Sequence, residues 1–380
     1  MNLKKHHVAF EVRDTIFLSV VRIYWSLGRS RATTKSSCRV LLLLLWMALV
    51  FTTASGQTDQ HLPGETPAPA PTIEQVQTHL SAGQPDAAIE LLFVIPKSPS
   101  NERLINHFWG LAYYQKGDHA RAAEHLLLAI ANGQEGSQQY RQAVQLLGLS
   151  DYFLGRIKEA IPYLEQVKRW SPENVEVAYV LGTCYIRAQN ADGAREAFAR
   201  LFGVSPGSAS AYLMNAQMMM RQQVEALAEK ELHKALELDP KLPQAHFLLG
   251  EIAIYNANID LGIELLKKEI AINPAFAMAY YRLGEAYTRQ LKWDDAMAPL
   301  QKSIWLNPFF SGPFIVLGKV YLKKGDLPNA ESILRRALRM DPNNFSGHHL
   351  LAQVLQQANR MDEAKREFEL ADRLRTESEK

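Results

Sequence analysis

Two groups of residues have the types and spacing that could support catalysis or metal binding. The run GVSPG at residues 203–207 matches G-x-S-x-G, the pattern of a nucleophilic serine on a strand-to-helix turn. Here it falls on a proline turn between two predicted helices, so we interpret the match as coincidence. His348 and His349 are adjacent, which places them about 100° apart on a helix and prevents them from binding one metal ion from one face.

The remaining candidates for chemistry are isolated. His107, His119 and His125 have no partners at ligand spacing, and no glycine-rich phosphate loop is present. Cys38 and Cys184 are the two cysteines. If the segment containing Cys38 is removed on export, Cys184 is left alone, which excludes a disulfide framework within one chain. The sequence therefore predicts a protein that is not an enzyme, with no catalytic, cofactor-binding or metal residues and no cofactor.

The net charge of +2 over 380 residues conceals an uneven distribution. Residues 1–56 hold eight Lys or Arg against two acidic residues, which leaves 34 basic and 38 acidic residues in the rest of the chain. A slightly acidic body gives no reason to expect a nucleic-acid partner.

Residues 1–56 have the parts of a targeting segment. A basic region precedes the apolar run VLLLLLWMALVF at residues 40–51, and small residues follow it, which predicts a signal peptide cleaved after Gly56. The apolar run is shorter than the roughly 20 residues of a membrane span. The 39 residues before it are more than a signal needs, so an uncleaved anchor over residues 40–54, or a translation start further downstream, stays open. Residues 57–72 are rich in Pro and Ala and are expected to form an extended linker.

Six prolines repeat every 34 residues, at Pro172, Pro206, Pro240, Pro274, Pro308 and Pro342. Small residues stand 24 residues before each proline, for example Gly250 and Gly284, and again 12 residues before it, for example Ala296. Small residues are needed where two helices cross closely, and a proline ends the second helix of a unit. Turn signals such as Lys-Gly-Asp at residues 116–118 and 324–326 predict the break between the two helices.

This pattern resembles the tetratricopeptide repeat. Residues 280–308 show it as Tyr280, Leu283-Gly284, Tyr287, Ala296, Leu300 and Pro308. The resemblance implies an all-α fold, a right-handed superhelical solenoid of antiparallel helix-turn-helix repeats, and we expect about nine units over residues 73–380. Because each hairpin cannot bury its own apolar face, neighbouring hairpins should stack on one another.

In proteins with this repeat, the first helix of each hairpin lines a concave groove in which partners bind. Two offsets usually point into it, and they imply an aromatic row beside a basic one. The candidate partner-binding residues are Tyr179, Phe247, Tyr281 and Ile315 in the first row, and Phe153, Arg187, Arg221, Tyr255, Arg289 and Lys323 in the second. Arginine can pair bidentately with carboxylates, which predicts acidic segments as ligands, tempered by Glu251 and Glu285. The alternative is that about half of the aromatic residues pack between helices.

The resemblance predicts an exported or membrane-tethered scaffold of bacterial type that binds other proteins or peptide segments. The alternative is a subunit that recruits substrates to a separate envelope enzyme or assembly machine. The sequence lacks the residues with which some members of this family bind the two-carboxylate tails of chaperones. It also lacks the asparagine ladder of the sugar-transferring members. We expect a periplasmic or other extracytoplasmic location, with membrane contact only through the N-terminal segment if it is not cleaved.

Overall fold

The computed structural model describes residues 71–131, 133 and 135–378, and in these residues all regular structure is helical. The predicted targeting segment, and the linker up to residue 70, lie outside the described residues. The helices are α1 (Ile73–Ser81), α2 (Pro85–Val94), α3 (Glu102–Gln115), α4 (His119–Ile130), α5 (Gln138–Phe153), α6 (Ile157–Trp170), α7 (Val175–Arg187), α8 (Ala191–Phe202), α9 (Ala209–Arg221), α10 (Glu225–Leu238), α11 (Ala245–Tyr255), α12 (Ile259–Ile272), α13 (Ala277–Arg289), α14 (Trp293–Leu306), α15 (Ser311–Lys323), α16 (Leu327–Met340), α17 (Phe345–Gln357) and α18 (Met361–Ser378).

Consecutive helices pair into hairpins, α1 with α2 through to α17 with α18. The chain divides into two compact units, and α1 and α2 pack together in the first, which ends at Ser98. In the second unit, each hairpin packs its second helix against the first helix of the next hairpin. The prediction of an all-α repeat solenoid is confirmed, while its right-handed superhelical twist stays a prediction.

Every turn within a hairpin contains one residue in the left-handed backbone region. Glycine fills this position at Gly83, Gly117, Gly155 and Gly325, which confirms the turn signals in the sequence. The other five hairpins place a residue with a side chain there, at Gln189, Gln223, Ala257, Leu291 and Asn359. The repeat therefore imposes this conformation even where the sequence offers no glycine.

The small residues of the repeat lie where the two helices of a hairpin cross. A Cβ atom added to Gly284 would lie 2.5 Å from Cγ of Leu300, the buried leucine of the facing helix. Gly318 meets Leu334 at the same distance one repeat later. The predicted reason for these glycines, close approach of two helices, is confirmed at both positions.

Nine of the described helices begin at a polar residue whose side chain caps the first turn, and the apolar core runs from one hairpin into the next. Side chains that accept a backbone N–H in the first turn belong to Thr72, Asp118, Ser137, Asn174, Asn190, Ser208, Asn258, Asp326 and Asn344. One core cluster joins Phe247 of α11, Leu266 of α12 and Leu283 of α13. Stability thus comes from interfaces between neighbouring hairpins.

None of the described helices has the length and apolar character that crossing a membrane requires.

Candidate functional site

In two parts of the second unit, the first helices of successive hairpins contact one another directly. Helix α3 contacts α5, α5 contacts α7, α13 contacts α15, and α15 contacts α17. No two second helices approach one another as closely in the described part of this unit. The first helices are the ones on which the sequence predicted a partner-binding groove, and their role in binding stays a prediction.

The aromatic row of the predicted groove is largely packed between helices. Tyr179 is only 5% exposed and meets Phe198 edge to face, and Phe247 is 9% exposed and meets Phe276 in the same way. Tyr281 is half-buried, with its ring edge to face with Phe310 at 5.1 Å, and Ile315 is half-buried too. Tyr179 and Phe247 offer little surface to a partner in this conformation, and the assignment of the row to partner binding stays a prediction.

The second predicted row is the accessible one. Tyr255 is 73% exposed, and Arg221, Arg289 and Lys323 are exposed at the last residue of their helices. The two members nearer the N-terminus make aromatic contacts. They are Phe153, which stacks on His119 at 4.4 Å, and Arg187, whose guanidinium lies 5.5 Å from the ring centre of Tyr152. This row therefore offers cations and two aromatic rings, Tyr255 and Phe153, to solvent along the ends of the first helices.

An ion-pair cluster joins the first helices α11 and α13. Arg282 of α13 bonds to Glu251 of α11 at 3.1 Å and to Glu285 of its own helix at 2.7 Å. Arg289 follows Glu285 by one turn of α13, and its guanidinium lies 3.9 Å from the Glu285 carboxylate. Nε of Arg282 is buried without a hydrogen-bond partner among the described residues. Arg289 is the member of the basic row that lies beside a carboxylate of this cluster, and the effect of Glu251 and Glu285 on the row stays a prediction.

Burial sets the electrostatics of this cluster. It raises the pKa of the Glu251 carboxyl, and repulsion from Glu285 adds to the rise while Arg282 opposes it. Burial, with the negative charge of Glu285, also raises the pKa of the Tyr281 hydroxyl. For Arg282, burial works against the charged form, but the two carboxylates outweigh it and the pKa is raised. The guanidinium thus stays charged and holds two carboxylates together.

Arg282 was not among the predicted site residues, although the repeat contains a signal for it. From α5 to α17, the equivalent positions in the other first helices hold apolar residues, namely Leu146, Val180, Met214, Leu248, Val316 and Leu350. A single charged residue in an otherwise apolar register marks a hairpin that differs from the rest. Sequence reasoning compared this position only with an asparagine ladder and therefore missed the charge.

The residues first considered for chemistry are dispersed. Ser205 lies in the loop between α8 and α9, where its carbonyl accepts a hydrogen bond from the Ser208 hydroxyl. His348 lies within hydrogen-bond distance of Glu367 and of the Pro342 carbonyl. Cys184 is fully buried, and burial raises the pKa of its thiol to about 12. Among the described residues, no group of three or more His, Cys, Asp or Glu side chains is arranged to hold a metal ion.

Comparison with known families identifies tetratricopeptide repeats in this chain. Two tetratricopeptide repeat models match it, one over residues 154–218 and 321–378 and the other over residues 278–309. These segments cover α6 to the middle of α9, α13 and α14, and α16 to α18, and the matched models describe a repeat rather than an enzyme family. No curated protein matches the sequence.

Several solved structures resemble parts of the chain at low identity. MamA from Desulfovibrio magneticus is 17% identical, with a TM-score of 0.42 over 45% of this chain and 97% of that one. The Cut9–Hcn1 hetero-tetramer of the APC/C is 17% identical, with a TM-score of 0.41 over 74% of this chain and 54% of that one. A tetratricopeptide repeat protein from Parabacteroides merdae is 18% identical, with a TM-score of 0.37 over 67% and 99%. Likeness at this level supports no argument about function.

Proposed function

We propose that this chain is a protein-interaction scaffold that binds extended or helical protein segments with acidic side chains along the first helices of its hairpins. Support for a scaffold comes from the tetratricopeptide repeats, which present a surface built from many similar units. Support for this particular surface comes from its composition, because aromatic residues and arginine are enriched at protein interfaces.

The observation that carries the proposal is the exposed row at the ends of the first helices. Arg221, Arg289 and Lys323 stand there with Tyr255, and the equivalent positions are spaced one repeat apart. A basic residue in the last turn of a helix is also favoured by the helix dipole. The dipole does not account for Tyr255, an aromatic ring that is 73% exposed in the same register. The combination suits a segment in which acidic and apolar side chains alternate.

The cluster around Arg282 sets a limit on where acidic side chains can bind. Glu251 and Glu285 lie beside it, so a third carboxylate, brought by a ligand, would be repelled. At the helix ends, Lys323 forms no salt bridge among the described residues, whereas Arg289 is 3.9 Å from Glu285. We therefore expect the acidic side chains of a ligand to lie toward the helix ends and its apolar side chains toward Tyr281.

An array of synthetic peptides tests the proposal. Each peptide would carry Asp or Glu alternating with aliphatic residues, beside a matched peptide with Asn or Gln at the acidic positions. The full chain should bind the acidic members and lose them as salt is raised, because exposed ion pairs are screened. Equal binding of the amide and acidic peptides, or preference for basic peptides, would overturn the proposed ligand chemistry.

We also propose that residues 1–56 direct this scaffold to an extracytoplasmic location, as a cleaved signal or as an anchor. Support comes from the basic region and the apolar run at residues 40–51. Cell fractionation, with N-terminal sequencing of the mature chain, tests this. A cleaved chain should begin near residue 57 in the periplasmic fraction, and an uncleaved one should sediment with membranes. A full-length chain in the cytoplasmic fraction would contradict both forms.

A further inference from the structure

The second helices α12, α14 and α16 carry positive charge near their C-terminal ends. Residues 267–271, 301–305 and 335–339 occupy equivalent places one repeat apart and contain six basic residues, Lys267, Lys268, Lys302, Arg335, Arg336 and Arg339. Their one acidic residue, Glu269, is fully buried, and its carboxylate accepts the backbone N–H groups of Gln244 and Phe247. These three segments expose basic side chains and no acidic ones of their own, and we call them the basic face. Lys268 is paired with Glu264 at 2.7 Å and Arg335 with Glu331 at 2.8 Å, both acids lying outside the segments. Lys267, Lys302, Arg336 and Arg339 form no salt bridge within the described part of the chain and supply the charge of this face.

Two large aromatic side chains project beside this face. Trp305, in the last turn of α14, is 71% exposed, and Phe309, in the loop that follows, is 87% exposed. The residues equivalent to Trp305 in neighbouring hairpins are Glu237, Ala271 and Arg339, and those equivalent to Phe309 are Lys241, Ala275 and Asn343. The repeat therefore does not require an aromatic ring at either position.

The local contacts separate the two aromatic residues from the core. The ammonium group of Lys302 lies 4.0 Å from the ring centre of Trp305, as in a cation–π pair. Phe310 is held against Tyr281 on the first-helix side, whereas its neighbour Phe309 makes no aromatic contact within the described residues. The backbone N–H of Phe309 is fixed by the Asn307 side chain at 3.3 Å. A turn thus presents Phe309 outward while Phe310 points inward.

We propose that the basic face, with Trp305 and Phe309, docks on an anionic lipid surface. Basic side chains close to such a surface are attracted by its negative potential. Trp and Phe enter the boundary between headgroups and acyl chains, where an aromatic ring loses water while its surroundings stay partly polar. This surface belongs to the second helices, so it is separate from the partner-binding surface proposed on the first helices.

The exposure of Phe309 favours a lipid surface over an acidic protein as the occupant. Protein interfaces place their aromatic anchors at the centre of a patch, surrounded by residues that exclude water. Phe309 instead projects from a loop at 87% exposure, which suits a soft surface into which a side chain can sink. The helix dipole accounts for some of the basic residues in the last turns. It does not account for the two exposed aromatic residues in the hairpin at the centre of the face.

Quenching of Trp305 fluorescence by brominated lipids tests the proposal on the full chain. Preformed vesicles would contain phosphatidylcholine alone or with about one third phosphatidylglycerol, a proportion that gives a clear negative surface potential. The Trp305→Phe variant keeps an aromatic ring but removes this one fluorophore. The difference between parent and variant therefore isolates Trp305 from the other five tryptophans, two of which lie in residues 1–56.

We expect quenching that depends on Trp305 with anionic vesicles and little with neutral ones. It should fall about tenfold or more in the Lys267→Gln, Lys302→Gln, Arg339→Gln triple variant, and also in roughly 0.5 M salt, which screens the attraction. Phe309→Ser should weaken it too. Tyr255→Ser, which removes a similarly exposed ring from the first-helix side, should leave it unchanged. Circular dichroism would confirm that each variant is folded.

Two results would overturn the proposal. The first is no Trp305-dependent quenching by anionic vesicles, or equal quenching by neutral and anionic vesicles. The second is an absence of quenching together with loss of a defined acidic protein partner in the triple variant, which would assign the same face to a protein ligand.

Discussion

The guanidinium of Arg282 reaches the carboxylate of Glu251 at 3.1 Å, joining the first helices of two successive hairpins. It also bonds to Glu285, so one cation separates two carboxylates that would otherwise repel each other. The contact crosses the boundary between two repeats on the surface where we propose that partners bind. It therefore couples the packing of hairpins to the charge of that surface.

Removing the cation should destabilise this boundary. We expect Arg282→Gln to lower the free energy of unfolding by about 1–2 kcal/mol, because partly buried Glu251 is left beside Glu285 without compensation. The Arg282→Gln, Glu251→Gln double variant should recover most of the loss. Urea unfolding followed by circular dichroism measures both. A double variant less stable than the single one would show that the charge of Glu251 is not the source of the cost.

The raised pKa of Glu251 predicts a specific dependence of stability on pH. Between the ordinary carboxyl value of 4.5 and the raised value in the folded chain, the folded state holds more protons than the unfolded state. The contribution of Glu251 to the free energy of unfolding must therefore fall as pH rises through that interval. Glu251→Gln should lack this fall. The difference in free energy of unfolding between parent and variant should therefore change with pH within that interval and stay constant at lower and higher pH. If the difference in free energy of unfolding between parent and variant did not change with pH, the raised pKa of Glu251 would be contradicted.

The close helix crossing at Gly284 predicts a position-dependent effect of alanine. A Cβ at Gly284 would lie 2.5 Å from Cγ of Leu300, so Gly284→Ala should cost about 1–3 kcal/mol through overpacking, despite the better helix propensity of alanine. Gly250 is the matched control, because its nearest contact would be 3.2 Å from Leu266. Gly250→Ala should stay within about 1 kcal/mol of the parent in thermal or urea unfolding. Equal losses at the two sites would refute the packing argument.

The left-handed turn at Leu291 predicts a stabilising substitution. Leu291 has a φ of 61° and is largely exposed, so Leu291→Gly should relieve backbone strain at little loss of packing. We expect a gain of about 0.5–1 kcal/mol in the free energy of unfolding. Gly325 holds the equivalent position with a φ of 78° and open space around an added Cβ. Gly325→Ala should therefore lose about 1 kcal/mol from φ alone. Stabilisation by both changes, or by neither, would count against strain at this position.

The sequence predicted the repeat architecture well because its signals are local and recur. The 34-residue spacing of prolines, the small residues at helix crossings and the turn glycines each reflect a constraint within one hairpin, and the structure confirms them at Gly284, Gly318 and Gly325. The same logic did not reveal that Leu291 or Gln223 adopts a left-handed conformation. That conformation is imposed by the repeat geometry and leaves no mark in the residue type.

The candidate surface was harder to predict, since it depends on contacts between hairpins. The family register selected Tyr179 and Phe247, yet neighbouring helices bury both against Phe198 and Phe276. The same register selected Tyr255, which is exposed, and passed over Arg282, which bridges two hairpins. Tyr179 meets Phe198 of its own hairpin, whereas Phe247 meets Phe276 at the start of the next one. Burial therefore depends on side-chain contacts within and between hairpins, which the register of the repeat does not specify.

The central claim is that the ends of the first helices bind acidic protein segments. The most direct test is a fluorescence anisotropy titration of an acidic–aliphatic peptide from the array with the full chain and two charge-reversed variants. The first variant changes Arg221, Arg289 and Lys323 to Glu, and the control changes Lys230, Lys267 and Arg339 on the second helices to Glu. We expect at least about a tenfold weaker affinity for the first-helix variant only, in line with the loss of charge-assisted contacts. An equal loss of affinity in both variants would show that binding depends on net charge rather than on the first helices. Unchanged binding by the first-helix variant would contradict the claim.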